Sequence, residues 1–150
     1  MIKLMTKLMN RTYIFFEDPG HGWLRVPLKE VEPIADKISP YSYMRGKYAY
    51  LEEDCDAWTF LKYKFGISPS FGDLKAKGII KEKYVENTAI RDYEIFHIRT
   101  EEEKALMETV ITTLLSWDFK KSSKEKIKKA SYEDCQNWQE YYGIKISHRR

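Results

Sequence analysis

A chain of 150 residues with 43% hydrophobic and 15% aromatic content has the length and apolar stock of one folded domain, which excludes disorder for most of it. The formal net charge of +3 is too small to mark the whole chain as a polyanion binder, although residues 120–150 carry nine Lys or Arg against four acids, leaving −2 over the first 119. Two cysteines, Cys55 and Cys135, exclude a disulfide framework and a four-cysteine zinc site.

In chain order, Ile2, Met5, Leu8 and Met9 have helical spacing and allow a short N-terminal turn that is free to fray. Lys3, Lys7 and Arg11 interrupt these apolar residues, so no signal-peptide core forms, and no run of about 18 apolar residues offers a membrane span. The expected location is the cytoplasm. Residues 12–17 (TYIFFE) are β-branched and aromatic and predict a strand. The turn chemistry of Pro19, Gly20 and Gly22 and the return strand GWLRVP complete a β-hairpin. Pro27 suits a first helical position before Leu28, Val31, Ile34 and Ala35, and Pro33 keeps that helix short. SPYSYM and YAYLEE predict a second hairpin that turns at Gly46.

Asp54 is a candidate cap for the next helix, with Ala57, Trp58, Phe60, Leu61 and Phe65 inside and Gly66 as terminator. A brief helix near Asp73–Lys77 and strands around Lys81–Glu86 and Ile90–Ile98 follow. Thr100 with Glu103 forms a capping box before the stripe Leu106, Met107, Val110, Ile111, Leu114 and Leu115. Ser122 with Glu125 predicts a second box. Ile127, Cys135, Trp138 and Tyr142 then share a helical face ended by Gly143, with an open question whether the helix breaks at Ser131. The fold class is α+β: two N-terminal β-hairpins with short helices, a further strand pair and a C-terminal helical hairpin, in a single domain over residues 1–150.

Two constellations carry polar chemistry. In Asp18-Pro19-Gly20-His21-Gly22-Trp23 the glycines leave the His21 imidazole unshielded. In Tyr50-Leu51-Glu52-Glu53-Asp54-Cys55-Asp56, four carboxylates crowd into five residues, and some must face water, a cation or a basic partner. If Glu52, Glu53 or Asp54 lies across the sheet from His21, the set suits a divalent metal or a shared proton. The plainer alternative gives Asp18 to the turn and the acids to a helix N-terminus. Cys55, flanked by Asp54 and Asp56, is a poor thiolate nucleophile. No nucleophile-elbow serine, GxxxxGK[ST] or GxGxxG occurs, which excludes nucleotide binding by those loops. Lys120, Lys121, Lys124, Lys126, Lys128 and Lys129, with Arg149 and Arg150, suit either nonspecific phosphate contact or a solvated helix face.

The residues Asp18, Gly20, His21, Gly22 and Trp23, then Ser42-Tyr43, Gly46, and Tyr50 through Ala57, resemble a family of small uncharacterised proteins of bacteriophages and other mobile elements. The match covers roughly the first 65 residues. It imports no catalytic role, cofactor or metal. What it implies is context: a phage-type accessory protein in the bacterial host cytoplasm, a setting in which small proteins bind and redirect host proteins, including defence systems.

The expected function is therefore binding of a host macromolecule, a host protein first, with inhibition of a defence component as one form. Asp18, His21, Trp23, Tyr43, Glu52, Glu53, Asp54 and Asp56 form the candidate polar or recognition site. The alternatives are a small metal-assisted hydrolase built on His21 and the Glu52–Asp56 carboxylates, and a nonspecific nucleic-acid binder using Lys120–Lys129.

Overall fold

A computed structural model describes residues 11–66 and 70–146. The residue 2–9 turn and the Arg149–Arg150 pair lie outside the described residues. The chain divides into two compact units, Met1–His97 and Ile98–Arg150. The fold is α+β: a six-stranded mixed sheet with interspersed short helices, followed by three helices packed together. No helix among the described residues is long and apolar enough to cross a membrane.

In the first unit, β1 (Tyr13–Glu17) and β2 (Gly22–Pro27) form the first hairpin, with Phe16 opposite Trp23 and Ile14 opposite Arg25. α1 (Leu28–Val31) runs into a 3-10 turn, Glu32–Lys37, as the proline at 33 requires. β3 (Tyr43–Arg45) and β4 (Tyr48–Glu52) make the second hairpin about Gly46, whose φ of 59° suits glycine. α2 (Asp56–Phe65) ends at Gly66 with φ 91°, and α3 (Phe71–Ala76) is capped by the Ser70 hydroxyl.

The two further strands both form, but they do not pair with each other. β5 (Ile80–Tyr84) lies parallel to β1, and the two-residue β6 (Glu94–Ile95) lies antiparallel to β3. They close opposite ends of the order β5-β1-β2-β4-β3-β6. Residues 90–98 hold a 3-10 turn (Ile90–Asp92) and only this short strand, so the longer predicted strand is cut down.

Strand alternation sends Tyr13, Phe15, Leu24, Val26, Met44, Ala49, Leu51 and Ile80 to one face, against Val31, Ile34, Ala57, Phe60, Leu61 and Leu74 from the helices. At about 25 cal/mol per Å² of apolar area, this shared burial is the main stabilising term of the unit. Trp58 is the exception to the predicted helix face: it is 41% exposed, because α2 buries the side carrying Ala57, Phe60 and Leu61.

A polar tie reinforces the core edge. Glu30 accepts from the Tyr13 hydroxyl (2.8 Å) and pairs with Lys64 (3.1 Å) and Arg11 (2.8 Å), joining β1, α1 and α2. Burial, and then the bond to Glu30, pushes the Tyr13 hydroxyl well above its ordinary pKa. Burial alone would raise Glu30, yet the Tyr13 and Lys64 donors hold its carboxyl below the usual value.

The second unit contains α4 (Glu101–Leu115), α5 (Lys121–Lys128) and α6 (Tyr132–Tyr142). Val110, Leu114, Ile127, Ala130 and Cys135 form its core, with Leu106, Met107, Ile111 and Trp138 packed against it. The Thr100 hydroxyl accepts from the Glu103 amide as expected. The chain does break at Ser131, which forms a reciprocal capping box with Asp134, and Gly143 ends α6 at φ 63°. The predicted Ser122–Glu125 box is absent. Lys120 takes the extended conformation that starts α5, which places Ser122 inside the helix, and Glu125 pairs instead with Lys128 at 3.3 Å.

Candidate functional site

The first hairpin's turn is organised by Asp18. Its Oδ1 accepts the backbone N–H groups of Gly20 and His21, both at 2.9 Å, which is the local bond that makes aspartate a turn residue. Its Oδ2 accepts from the Thr88 hydroxyl at 3.1 Å and from Arg91. Asp18 therefore ties the hairpin to a segment 70 residues further along, and its side chain is only 3% exposed. The Arg91 hydrogen bond holds its carboxyl far below the usual carboxylate range, with the turn amides and Thr88 adding to the effect against the opposing influence of burial. The Arg91 guanidinium then lies over the Trp23 ring, 4.8 Å from its centre.

The glycines of this turn have distinct roles. A Cβ on Gly22 would sit 2.4 Å from the Phe15 ring and 3.0 Å from Glu53, so close approach excludes any side chain there. A Cβ on Gly20 would stand 3.2 Å from Arg91. His21 remains exposed. Its Nδ1 is 3.8 Å from Glu53 Oε1, and its ring packs edge-on to Trp23.

The acidic cluster does not act as a group. Glu52, opposite Trp23 at the end of β4, turns its carboxylate onto the backbone N–H groups of Asp54 (2.8 Å), Cys55 (2.7 Å) and Asp56 (2.9 Å). Glu52 thus caps α2 and Asp54 does not; the preceding strand delivers a longer side chain to the same amides, leaving Asp54 exposed. Asp56 is buried. Its Oδ2 accepts from Ser39 N–H (3.0 Å), Ser39 Oγ (2.6 Å) and the fully buried Ser42 Oγ (2.6 Å), while Ser42 Oγ accepts from the Glu52 amide (3.0 Å). This network fixes the loop before β3 against the start of α2.

The two sequence constellations therefore lie side by side, with Trp23 opposite Glu52 and the Glu53 amide donating to Gly22 O at 3.0 Å, and His21 meets the Glu53 carboxylate. Among the described residues, the nearest approach to a metal-ligand set is Glu52, Cys55 and Asp56, whose donor atoms lie within 4.8 Å of one another. The set does not suit a cation. Both carboxylates already face N–H and O–H donors, and all three residues sit at the positive N-terminal end of α2. His21 is not a member.

Glu53 and Asp54 face a different feature, a hollow of about 250 Å³ between the sheet and α2. Phe15, Leu24, Leu61 and Phe71 supply apolar walls, the exposed Trp58 packs edge-on to Phe71, and Glu17, Glu53 and Asp54 add three carboxylates.

Trp23 and Tyr43 lie on the opposite side of the sheet. There Trp23, Tyr50 and Ile90 form a small second core with Phe16, Tyr43 and Tyr93 around it. Cations cover its rings: Arg25 lies over Phe16 (5.6 Å) and Tyr48 (4.7 Å), Arg45 over Tyr93 (4.8 Å), and Lys83 over Phe16 (5.9 Å). Burial raises the Tyr50 hydroxyl pKa. Arg91, Arg25, Arg45, Glu17 and Trp58 were not among the predicted site residues. The alternation Tyr43, Arg45, Tyr48, Tyr50 in YMRGKYAY is the sequence signal for the ring-and-cation face, readable once strand register is known.

Of the C-terminal lysines, Lys120, Lys121, Lys126, Lys128 and Lys129 are exposed around α5 and Lys124 is half-buried. Lys128 is spent in the pair with Glu125.

No family model, curated protein or solved structure matches this chain.

Proposed function

We propose that this protein is a non-catalytic binding protein that engages a basic host protein through the acid-lined hollow beside α2. One observation carries the proposal: exposed Trp58 and three carboxylates, Glu17, Glu53 and Asp54, surround an apolar cavity of about 250 Å³. A lysine or arginine side chain fits that chemistry, with its aliphatic stem against Phe71 and Trp58 and its charge among the acids. Large aromatic residues are the usual anchors of such interfaces.

The use made of the other polar residues supports a binding role. Asp18, Glu52 and Asp56 are engaged in the scaffold, so they serve to shape the surface. The resemblance to mobile-element proteins adds the context of a bacterial host cytoplasm, and blocking a host defence component is the action that context favours. A tagged full-length chain passed through host lysate at moderate salt should retain a specific protein. Trp58→Ala and Glu53→Lys should each release it, while Glu125→Lys on α5 should not. Failure to retain any protein specifically, or equal retention by all three variants, would sink the proposal.

A further inference from the structure

The face of the sheet away from α2 is covered at Trp23 and Tyr50 by Ile90 and Tyr93, and the rest of it has its own chemistry. Reading across β5, β1, β2, β4 and β3, the outward residues include Lys81 and Lys83, Phe16, Arg25, Tyr48 and Tyr50, and Tyr43 and Arg45. With strands about 4.8 Å apart, these five span roughly 19 Å. Arg25, Arg45, Lys81 and Lys83 take part in no ion pair among the described residues; three of them lie on aromatic rings instead. Two carboxylates near this face are already engaged: Glu52, at the end of β4, is turned onto the α2 amides, and Asp18 is held by Arg91, whose guanidinium lies over Trp23. At the Arg25–Tyr48 end, a cavity of about 480 Å³ adds Arg11 and Lys29 to its walls, with Glu30 as its one acid, and Glu30 is already paired with Arg11 and Lys64.

We infer that this face binds single-stranded nucleic acid, with bases stacking on the rings of Phe16, Tyr48 and Tyr93 and phosphates taken by Arg25, Arg45, Lys81 and Lys83. Rings and unpaired cations interleaved on a sheet face match what a single strand exposes: flat bases with a π-face and a regular line of negative charge. A duplex hides its bases and leaves the rings without a partner. An acidic protein satisfies the cations but makes no use of the rings. The guanidiniums that rest on Phe16, Tyr48 and Tyr93 form the unliganded arrangement. On binding they pass from ring to phosphate, and the bases take their places. The hollow lined by Arg11, Arg25 and Lys29 extends the phosphate track past the sheet edge. This site is separate from the acid-lined hollow and does not depend on it.

The test is fluorescence anisotropy of the full chain with labelled mixed-sequence RNA and DNA strands of about a dozen nucleotides, a length within the usual range for such platforms. Duplexes of the same length and poly-glutamate serve as competitors. Single strands should bind and resist both competitors, with log affinity falling against log salt by about 0.7 per phosphate engaged. Arg25→Gln with Arg45→Gln should weaken binding at least about tenfold and flatten the salt slope by about 1.4. Tyr48→Ser, at a residue 38% exposed, should weaken it about five- to tenfold with the slope unchanged. Lys81→Gln with Lys83→Gln, both fully surface positions, gives the same loss of slope should the arginine variant fail to fold. Trp58→Ala should bind as wild type.

Absence of binding at low salt overturns the inference, as does equal affinity for duplex or full displacement by poly-glutamate. Binding that survives the face variants but is abolished by Lys121→Gln, Lys124→Gln and Lys128→Gln together also overturns it, placing contact on α5.

Discussion

In the sheet unit, the bonds that fix the fold join residues far apart in sequence. Asp18 reaches Arg91 and Thr88, Asp56 gathers Ser39 and Ser42, and Glu30 collects Arg11, Tyr13 and Lys64. In the helical unit four such bonds span a single turn: Thr100 with Glu103, Ser131 with Asp134, Lys104 with Glu101, and Lys128 with Glu125. The first design spends its carboxylates on long-range ties, and in doing so leaves two differently charged surfaces, acidic beside α2 and cationic on the opposite sheet face. The second keeps its charges for local helix support. Surface chemistry accordingly differs between them: it is arranged by tertiary structure in the sheet unit and by helical periodicity in the other.

The comparison breaks most visibly at the core. Phe60 is fully buried at the centre of the helix-facing cluster, and Phe60→Ala should cost about 3–5 kcal/mol. Urea unfolding gives the size, and faster amide exchange across β1, β2 and β4 gives the place. A smaller loss of under about 1.5 kcal/mol would mean the cluster repacks around the gap.

Next in size is the Asp56 network. Asp56→Ala strands three donors, two of them hydroxyls and one an amide, and should cost about 2–3 kcal/mol. Asp56→Asn keeps one acceptor oxygen and should cost less than half of that. Were both variants equally stable to wild type, the idea that polar ties across the sequence secure the sheet unit would fail. In the helical unit, Ser131→Ala removes one cap and should cost about 1 kcal/mol, confined to exchange in the first turn of α6.

The pH dependence sharpens the same contrast with a small effect. Asp18 has its folded pKa depressed below the ordinary value of 3.8, chiefly by Arg91. A depressed carboxylate contributes stability that is fully present above the unfolded pKa and is lost as pH falls through the folded one. Wild type should therefore lose melting temperature steadily as pH falls below about 4. Asp18→Asn should start lower at neutral pH and lose less on acidification. Parallel melting curves for the two across that range would show that Asp18 does not titrate with folding.

Much of the architecture was legible in sequence because its signals are local. Pro19 with Gly20, the period-two strands, Gly46, Gly66 and Gly143 each act within a few residues, and the two hairpins and the α4 stripe follow from them. Ser131 offers a cap in sequence, and the reciprocal bond with Asp134 makes it one. What escaped depended on register and long-range closure. Nothing near Asp18 announces Arg91, and nothing near β1 announces β5. Trp58 was misplaced because helical spacing groups it with Leu61 and Phe65, whereas α2 turns the Ala57–Phe60–Leu61 side to the sheet. Glu52 displaced Asp54 as the cap because a glutamate ending a strand reaches amides that a local cap rule gives to the nearer residue. The site was half legible: His21 and Glu53 do meet, while the other carboxylates are committed elsewhere.

The parallel pairing of β1 with β5 sets the order in which a growing chain can complete this sheet. Tyr13 takes its partner at Ile80, so the outer edge of β1 stays without one through the synthesis of both hairpins and three helices. Until Ile80–Tyr84 emerges, that edge presents a row of unpaired amides and carbonyls beside Phe15 and Phe16, a template to which another nascent chain can add. Truncation before residue 80 should therefore yield aggregates, and the late arrival of one strand carrying Lys81 and Lys83 is what ends that exposure.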